Sequence, residues 1–197
     1  MNSFNLKTFL TTNVEIDEQT IKEHIEKLKK IRIKKGNFLL RQGDICKHSF
    51  FVEEGLLKYY SIDEKGKQHI LQFAPEGWFV VDRESMFFNQ PSQYFIETLE
   101  DSVVTMMDED VFAELSLQNK DFALFNNRLL HNHIRHLQNR INLLLSATAE
   151  ERYLEFVKIY PDLLLRVPQT LVASYLGITP ESLSRVRKDL ATRRFQK

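Results

Sequence analysis

Glu181, Ser184, Arg185 and Lys188 lie within one short stretch, Pro180-Glu-Ser-Leu-Ser-Arg-Val-Arg-Lys188. Each can hydrogen-bond to a base edge or a phosphate. An arginine offers a bidentate fork to O6 and N7 of guanine, and a glutamate accepts from N4 of cytosine. If the stretch is helical, Leu183, Val186 and Leu190 fall within about 60° of one another and face inward. Glu181, Ser184, Arg185, Lys188 and Thr192 take the other side. Thr179 and Ser182 add hydroxyls at the start. Arg187, Lys188, Arg193 and Arg194 are better placed for phosphates. The candidate DNA contacts are therefore Thr179, Glu181, Ser182, Ser184, Arg185, Arg187, Lys188 and Arg193. The plain alternative is a solvated basic face on an ordinary helical corner.

Such side chains read DNA only if a second helix holds theirs in place. Helices are expected over Gln169–Leu176 and Pro180–Thr192, joined by Gly177-Ile-Thr179. Gly177 suits a left-handed residue closing the first helix. Thr179 can cap the second, and Pro180 fits its first turn. Val172, Leu176, Ile178, Leu183 and Val186 supply apolar contacts, and Ala173 is small where the helices cross. The pattern is that of a helix-turn-helix.

The charge distribution agrees with this. Net charge is zero, yet residues 162–197 carry 7 Lys and Arg against 3 Asp and Glu. Positive charge thus gathers where phosphates would be met. Cys46 is the single cysteine, which excludes an intramolecular disulfide, a four-cysteine cluster and a four-cysteine zinc site. No basic-then-apolar leader opens the sequence and no apolar run reaches membrane-spanning length, so a cytoplasmic protein without membrane attachment is expected. No motif selects a cofactor or a metal, and none is expected.

Upstream, glycines at 36, 43, 55, 66 and 77 separate short aromatic and branched segments. Strands at this spacing read as an antiparallel sandwich or barrel over about 31–107, with a hairpin turn at Asp63-Glu-Lys-Gly66. A helix is expected over Asp17–Lys30 and another over Asp108–Leu117. A long helix, Asp121 to about Leu145, follows. On it Leu130, Ile134, Leu137, Ile141 and Leu144 recur in steps of 4, 3, 4 and 3, an a/d seam. The seam fits packing on its own domain or pairing with a twin helix, and two-fold symmetry being the commonest arrangement favours the twin. A further helix spans about Thr148–Ile159. The fold class is α+β: a β jelly-roll barrel with flanking helices (1–120), a dimerisation helix (121–145) and an all-α helix-turn-helix domain (146–197).

A barrel, a long helix and a C-terminal helix-turn-helix in this order resemble the Crp/Fnr family of bacterial regulators. Lys35-Gly-Asn-Phe-Leu-Leu-Arg-Gln-Gly-Asp44 and Ser49-Phe-Phe-Val-Glu-Glu-Gly55 look like its first barrel strands, and Pro180–Lys188 like its recognition helix. The resemblance implies that Glu181 and Arg185 read bases. It implies a homodimer on a double-stranded DNA operator, with RNA polymerase and an unidentified small-molecule effector as further partners. Pro180 stands where the family often has arginine, so a different operator sequence is expected. The family's cyclic-nucleotide site carries Gly-Glu-Leu and then Arg-Ser or Arg-Thr. Here Val81 and Asp82 stand in the first place and Ser92 and Gln93 in the second, with Arg83 as a displaced cation. The effector pocket, Val81, Asp82, Arg83, Ser92 and Gln93, is therefore degenerate, and tight cyclic AMP binding is not expected. The family's oxygen-sensing branch needs several cysteines.

Two other readings compete. A cupin-type metal enzyme needs two or three histidines converging on neighbouring strands, whereas the β region has only His48 and His69. His131, His133 and His136 lie instead on the long helix. No catalytic residues are assigned. The other rival is a ligand-binding or interaction barrel with little DNA binding, which salt-dependent binding to duplex DNA would separate.

Overall fold

The computed structural model describes residues 4–195. Asn5 caps α1 (Leu6–Asn13), its side chain accepting from the Thr8 amide at 2.7 Å. There follow α2 (Glu18–Thr20), β1 (Lys30–Ile33), β2 (Phe38–Leu40), β3 (His48–Glu54), β4 (Leu57–Ile62), β5 (Gln68–Ala74), β6 (Phe79–Val80), α3 (Arg83–Phe88), β7 (Phe95–Thr98) and β8 (Ser102–Asp108). Helices α4 (Glu109–Gln118), α5 (Lys120–Ser146), α6 (Ala149–Ile159), α7 (Leu163–Arg166), α8 (Gln169–Leu176) and α9 (Pro180–Phe195) complete the described chain.

The strands form two four-stranded sheets, ordered β1-β8-β3-β6 and β2-β7-β4-β5. The α+β class and the jelly-roll arrangement expected from the sequence are what is found. Alternation in the strands turns one set of side chains inward from each sheet. Val52 and Val104 from the first sheet meet Leu40, Leu57 and Ile96 from the second, all at most 4% exposed. On the outer face of the first sheet an aromatic cluster covers it. Phe51 touches Phe9 and Phe79 at ring-centroid distances of 5.1 and 4.9 Å, and Phe122 and Phe125 of α5 close the same cluster. The many phenylalanines thus anchor the start of the long helix.

By contact the chain divides into two compact units. One holds residues up to Ile62 together with Leu71–His131; the other holds Asp63–Ile70 with the residues from Asn132 on. In the second unit α6, α8 and α9 pack on one another around Phe156, Tyr160, Val172, Tyr175 and Leu183. Phe156, Tyr160 and Tyr175 meet edge to face and tilted, with centroids 5.3–5.7 Å apart.

Five helical segments depart from expectation. α1, α3 and α7 are additional, each too short for a clear 3.6-residue pattern. The expected helix over 17–30 is instead α2 followed by a π-turn, Ile21–Ile25, because the chain enters β1 at Lys30. Ile25 and Leu28 still reach the aromatic cluster. The side chain of Ile21 lies outside the described residues. α9 runs a turn beyond Thr192, as nothing in Thr192–Phe195 stops a helix.

Candidate nucleic-acid interface

The turn between α8 and α9 is built on Gly177, whose φ is +66°. The Ile178 amide donates to the Ala173 carbonyl at 3.0 Å and the Gly177 amide to the Ser174 carbonyl at 3.1 Å. This Schellman closure satisfies carbonyls that α8 would otherwise leave open. A Cβ at residue 177 would be strained by the positive φ and would also stand 3.1 Å from Leu144 Cδ2, so that side chain would have to give slightly. Thr179 then caps α9: its Oγ1 accepts from the Ser182 amide and donates to Ser182 Oγ, both at 3.2 Å. Pro180 takes the first helical position.

From this start α9 turns Leu183 fully inward, with Val186 and Leu190 half-buried beside it. Glu181, Ser184, Arg185 and Lys188 are exposed together on the outer side. The Glu181 carboxyl is held below its ordinary range by its own backbone amide and then by the Thr179 hydroxyl, so it is an acceptor at neutral pH. Thr179 is exposed, and Ser182 is half-buried with its hydroxyl engaged in the cap. Arg187 is half-buried on the flank of the inward stripe rather than on the outer face. Arg193 pairs with Glu150 of α6 at 2.8 Å, an exposed contact that a stronger anion could replace at little cost. The side chain of Arg194 lies outside the described residues.

Residues not singled out from the sequence fix this assembly. Arg152 of α6 donates from Nε to the Ala147 carbonyl at 3.0 Å and from Nη1 to the Leu176 carbonyl at 3.1 Å, joining the end of α5 to the end of α8. Arg140 of α5 donates from Nη2 to the carbonyls of Tyr175 (3.0 Å) and Ile70 (2.7 Å), and its guanidinium lies over the Tyr175 ring at 3.7 Å. Ser174 Oγ accepts from the Ile70 amide at 3.2 Å and donates to the Gln68 carbonyl at 2.7 Å. The segment 63–70 is thus stitched to α8 by one hydroxyl and one guanidinium. No local periodicity in the sequence signals such pairings.

Along α5 the seam residues Leu130, Ile134, Leu137, Ile141 and Leu144 are all 38–56% exposed in the protomer. His131 is exposed, and His133 and His136 are half-buried. Burial, then the charge of Arg140, lowers the pKa of His136. Among the described residues no three His, Cys, Asp or Glu side chains are grouped to hold a metal ion, and no helix is long and apolar enough to cross a membrane.

In the first unit the pocket candidates part company. Asp82 and Ser92, each 2% exposed, are bonded to each other: Ser92 Oγ donates to Asp82 Oδ2 at 2.6 Å. The other carboxylate oxygen accepts from the Ser85 amide at the start of α3, at 3.3 Å. Ser85 Oγ in turn accepts from the Cys46 amide at 2.8 Å. Burial first, and then the negative charge of Asp82, push the Tyr59 hydroxyl up, and burial raises the Cys46 thiol. Val81 is half-buried and Gln93 is exposed. Arg83 is half-buried, its Nε has no hydrogen-bond partner among the described residues, and burial lowers its pKa.

Residues 30–119 match the cyclic nucleotide-binding domain family. The chain is 29% identical over 165 residues to the anaerobic regulatory protein of Pasteurella multocida, covering 78% of this chain and 60% of that protein, so it spans less than two thirds of that relative's length. The structure of FixK2 from Bradyrhizobium japonicum superposes with a TM-score of 0.72 at 18% identity, covering 84% of this chain and 85% of that one. A protein from Eubacterium rectale described as a transcriptional regulator of the Crp/Fnr family superposes over 98% of this chain and 89% of its own, with a TM-score of 0.67 at 16% identity. Together with the sandwich, the long helix and the helix-turn-helix, these likenesses mean that residues 30–119 are similar to the cyclic nucleotide-binding domain family and that the chain shares the fold of Crp/Fnr regulators.

Proposed function

We propose that the protein is a sequence-specific, DNA-binding transcription regulator that acts in the cytoplasm as a homodimer and has no enzymatic activity of its own. The observation carrying this reading is the outer face of α9, where Glu181, Ser184, Arg185 and Lys188 stand exposed on a helix fixed by the Gly177 turn and the Thr179 cap. Glu181 and Arg185 read bases; Thr179, Ser182, Arg187, Lys188 and Arg193 position the duplex through its backbone. Residues 1–120 serve as sensor barrel, 121–145 as dimerisation helix and 146–197 as DNA-binding domain. RNA polymerase is the downstream partner. The homology to proteins named as regulators supports the same reading.

The test is selection of bound sequences from a random duplex pool, followed by affinity measurements at several salt concentrations. A preferred pseudo-palindromic site is expected, with log affinity falling by about 0.9 per phosphate contact for each unit of log salt. Absence of any sequence preference would leave the protein an interaction barrel. Arg185→Ala is expected to cost about 1–3 kcal/mol at one base pair of the selected site and to relax preference there. An unchanged preference in the variant would reassign the base contact.

The barrel is expected not to bind cyclic AMP tightly. An anionic phosphate entering beside Asp82 would meet a buried carboxylate already bonded to Ser92 and to the Ser85 amide. Like charges at that distance repel, and the arginine that would balance them is absent from residue 92. Calorimetric titration with cyclic AMP is expected to give no signal at micromolar protein; sub-micromolar binding would overturn this. Arg83 leaves room for a different small-molecule effector.

A further inference from the structure

We propose that Asn127 fixes the orientation, register and strand number of the paired α5 helices, by bonding across the seam to its counterpart in a second copy of this chain. The inference rests on the homodimer reading above and goes beyond it by assigning the residue that specifies the pairing.

The seam divides cleanly into its two kinds of position. Ile134 and Ile141 occupy one and Leu130, Leu137 and Leu144 the other. Branched isoleucine at the first core position with leucine at the second is the combination that favours two parallel strands. Seven residues before Ile134, at the same kind of position, stands Asn127. At 100° per residue it lies about 20° from Ile134 around the helix, and roughly 160° from Phe125. Phe125 is buried in the aromatic cluster, whereas Asn127 is exposed in the protomer, as the seam residues are. Asn127 is therefore the first position of the stripe after Phe125, on the opposite side of α5 from the aromatic cluster.

A second observation places the burden of specificity on this residue. Between Phe122 and Ala149 the chain carries no Asp or Glu. The positions flanking the seam are Asn126, His131, His133, Gln138, Arg140 and Leu145, so no interhelical salt bridge can choose partner or direction. An apolar seam with no charge code pairs promiscuously unless a polar core position forbids the alternatives. In a parallel, in-register pair the two Asn127 amides face each other and each satisfies the other. In an antiparallel or slipped pair, or in a third strand, each amide is buried against isoleucine or leucine without a partner. Asn127 thus weakens the correct dimer a little and the incorrect assemblies much more.

The experiment compares the full-length chain with Asn127→Ile and Asn127→Val, and with Asn139→Ile on the outward face of the same helix as a control. Oligomer mass is followed by sedimentation across nanomolar to micromolar concentrations, and fold by circular dichroism. The wild type and the control are expected to remain dimers. Both Asn127 variants are expected to dimerise about tenfold or more tightly and to populate larger assemblies at high concentration. Variants that stay strictly dimeric, with an unchanged dissociation constant, would overturn the role of Asn127 while leaving the homodimer intact. A monomeric wild type would instead overturn the homodimer, and the role of Asn127 with it.

Discussion

A carboxylate at residue 137 is expected to convert the protein to a monomer and to lower its affinity for a full operator by a factor of about 100 or more. Leu137 is 41% exposed in the protomer, so Leu137→Asp removes little that holds one chain together. In the proposed pair it would stand at a core position flanked by Ile134 and Ile141 and face its own copy. Two aspartates there would be desolvated and would repel each other, the combination that paired helices tolerate least. Loss of pairing matters for DNA because two linked helix-turn-helix units bind their second half-site at high effective concentration, whereas a monomer binds one half-site alone. Sedimentation and gel retardation on full and half operators check the two parts separately. A Leu137→Asp protein that remains dimeric would place the contact elsewhere.

Leu183→Ala is the second large effect, and it acts on stability. Leu183 is 0% exposed at the centre of the second unit, on the helix that packs against α6 and α8. Removing three carbons from such a site costs the lost transfer energy and leaves a cavity, together about 2–5 kcal/mol. A unit of this size shifts its melting temperature by roughly 4–8 °C per kcal/mol, so a fall of roughly 8–40 °C is expected by calorimetry or circular dichroism. Operator binding should fall with it, because the burial of Leu183 helps to seat the helix that carries Arg185 and Lys188. Ser184→Ala, one residue on and exposed, should change stability by no more than about 0.5 kcal/mol. Equal stability losses for the two would mean that α9 is not seated through its 183 face.

The recognition end was legible in the sequence because its determinants are local. Gly177, Thr179 and Pro180 each mark a backbone geometry within a residue or two of themselves, and α8 spans the expected Gln169–Leu176. The inward stripe at 183, 186 and 190 follows from helical period alone. The same rotation puts Arg187 only about 40° from Leu183, which is why it is half-buried. The sheets were legible from strand spacing, yet their order and pairing were not. Most hidden were the groups that act at a distance. Arg140 bonds to carbonyls 35 and 70 residues away, Arg152 reaches 24 residues to Leu176, and neither contact leaves a trace in local pattern. Asp82 was visible as a departure from the pocket residues of the family the sequence resembles. That it is itself tied to Ser92, ten residues on, was not.

The stitch between Ser174 and the 63–70 segment also sets a schedule. Ile70 leaves the ribosome 104 residues before the serine that binds it. At synthesis rates of about 5–20 residues per second, that interval is roughly 5–20 s. Throughout it Ser174 is not yet there to serve the Gln68 carbonyl and the Ile70 amide. A fragment beginning at residue 132 would lack the hydrogen bonds that Ser174 and Arg140 make to Gln68 and Ile70. A transplant of this helix-turn-helix into a relative would have to bring the 63–70 turn with it, because the piece that folds as one is not the piece that is contiguous in the gene.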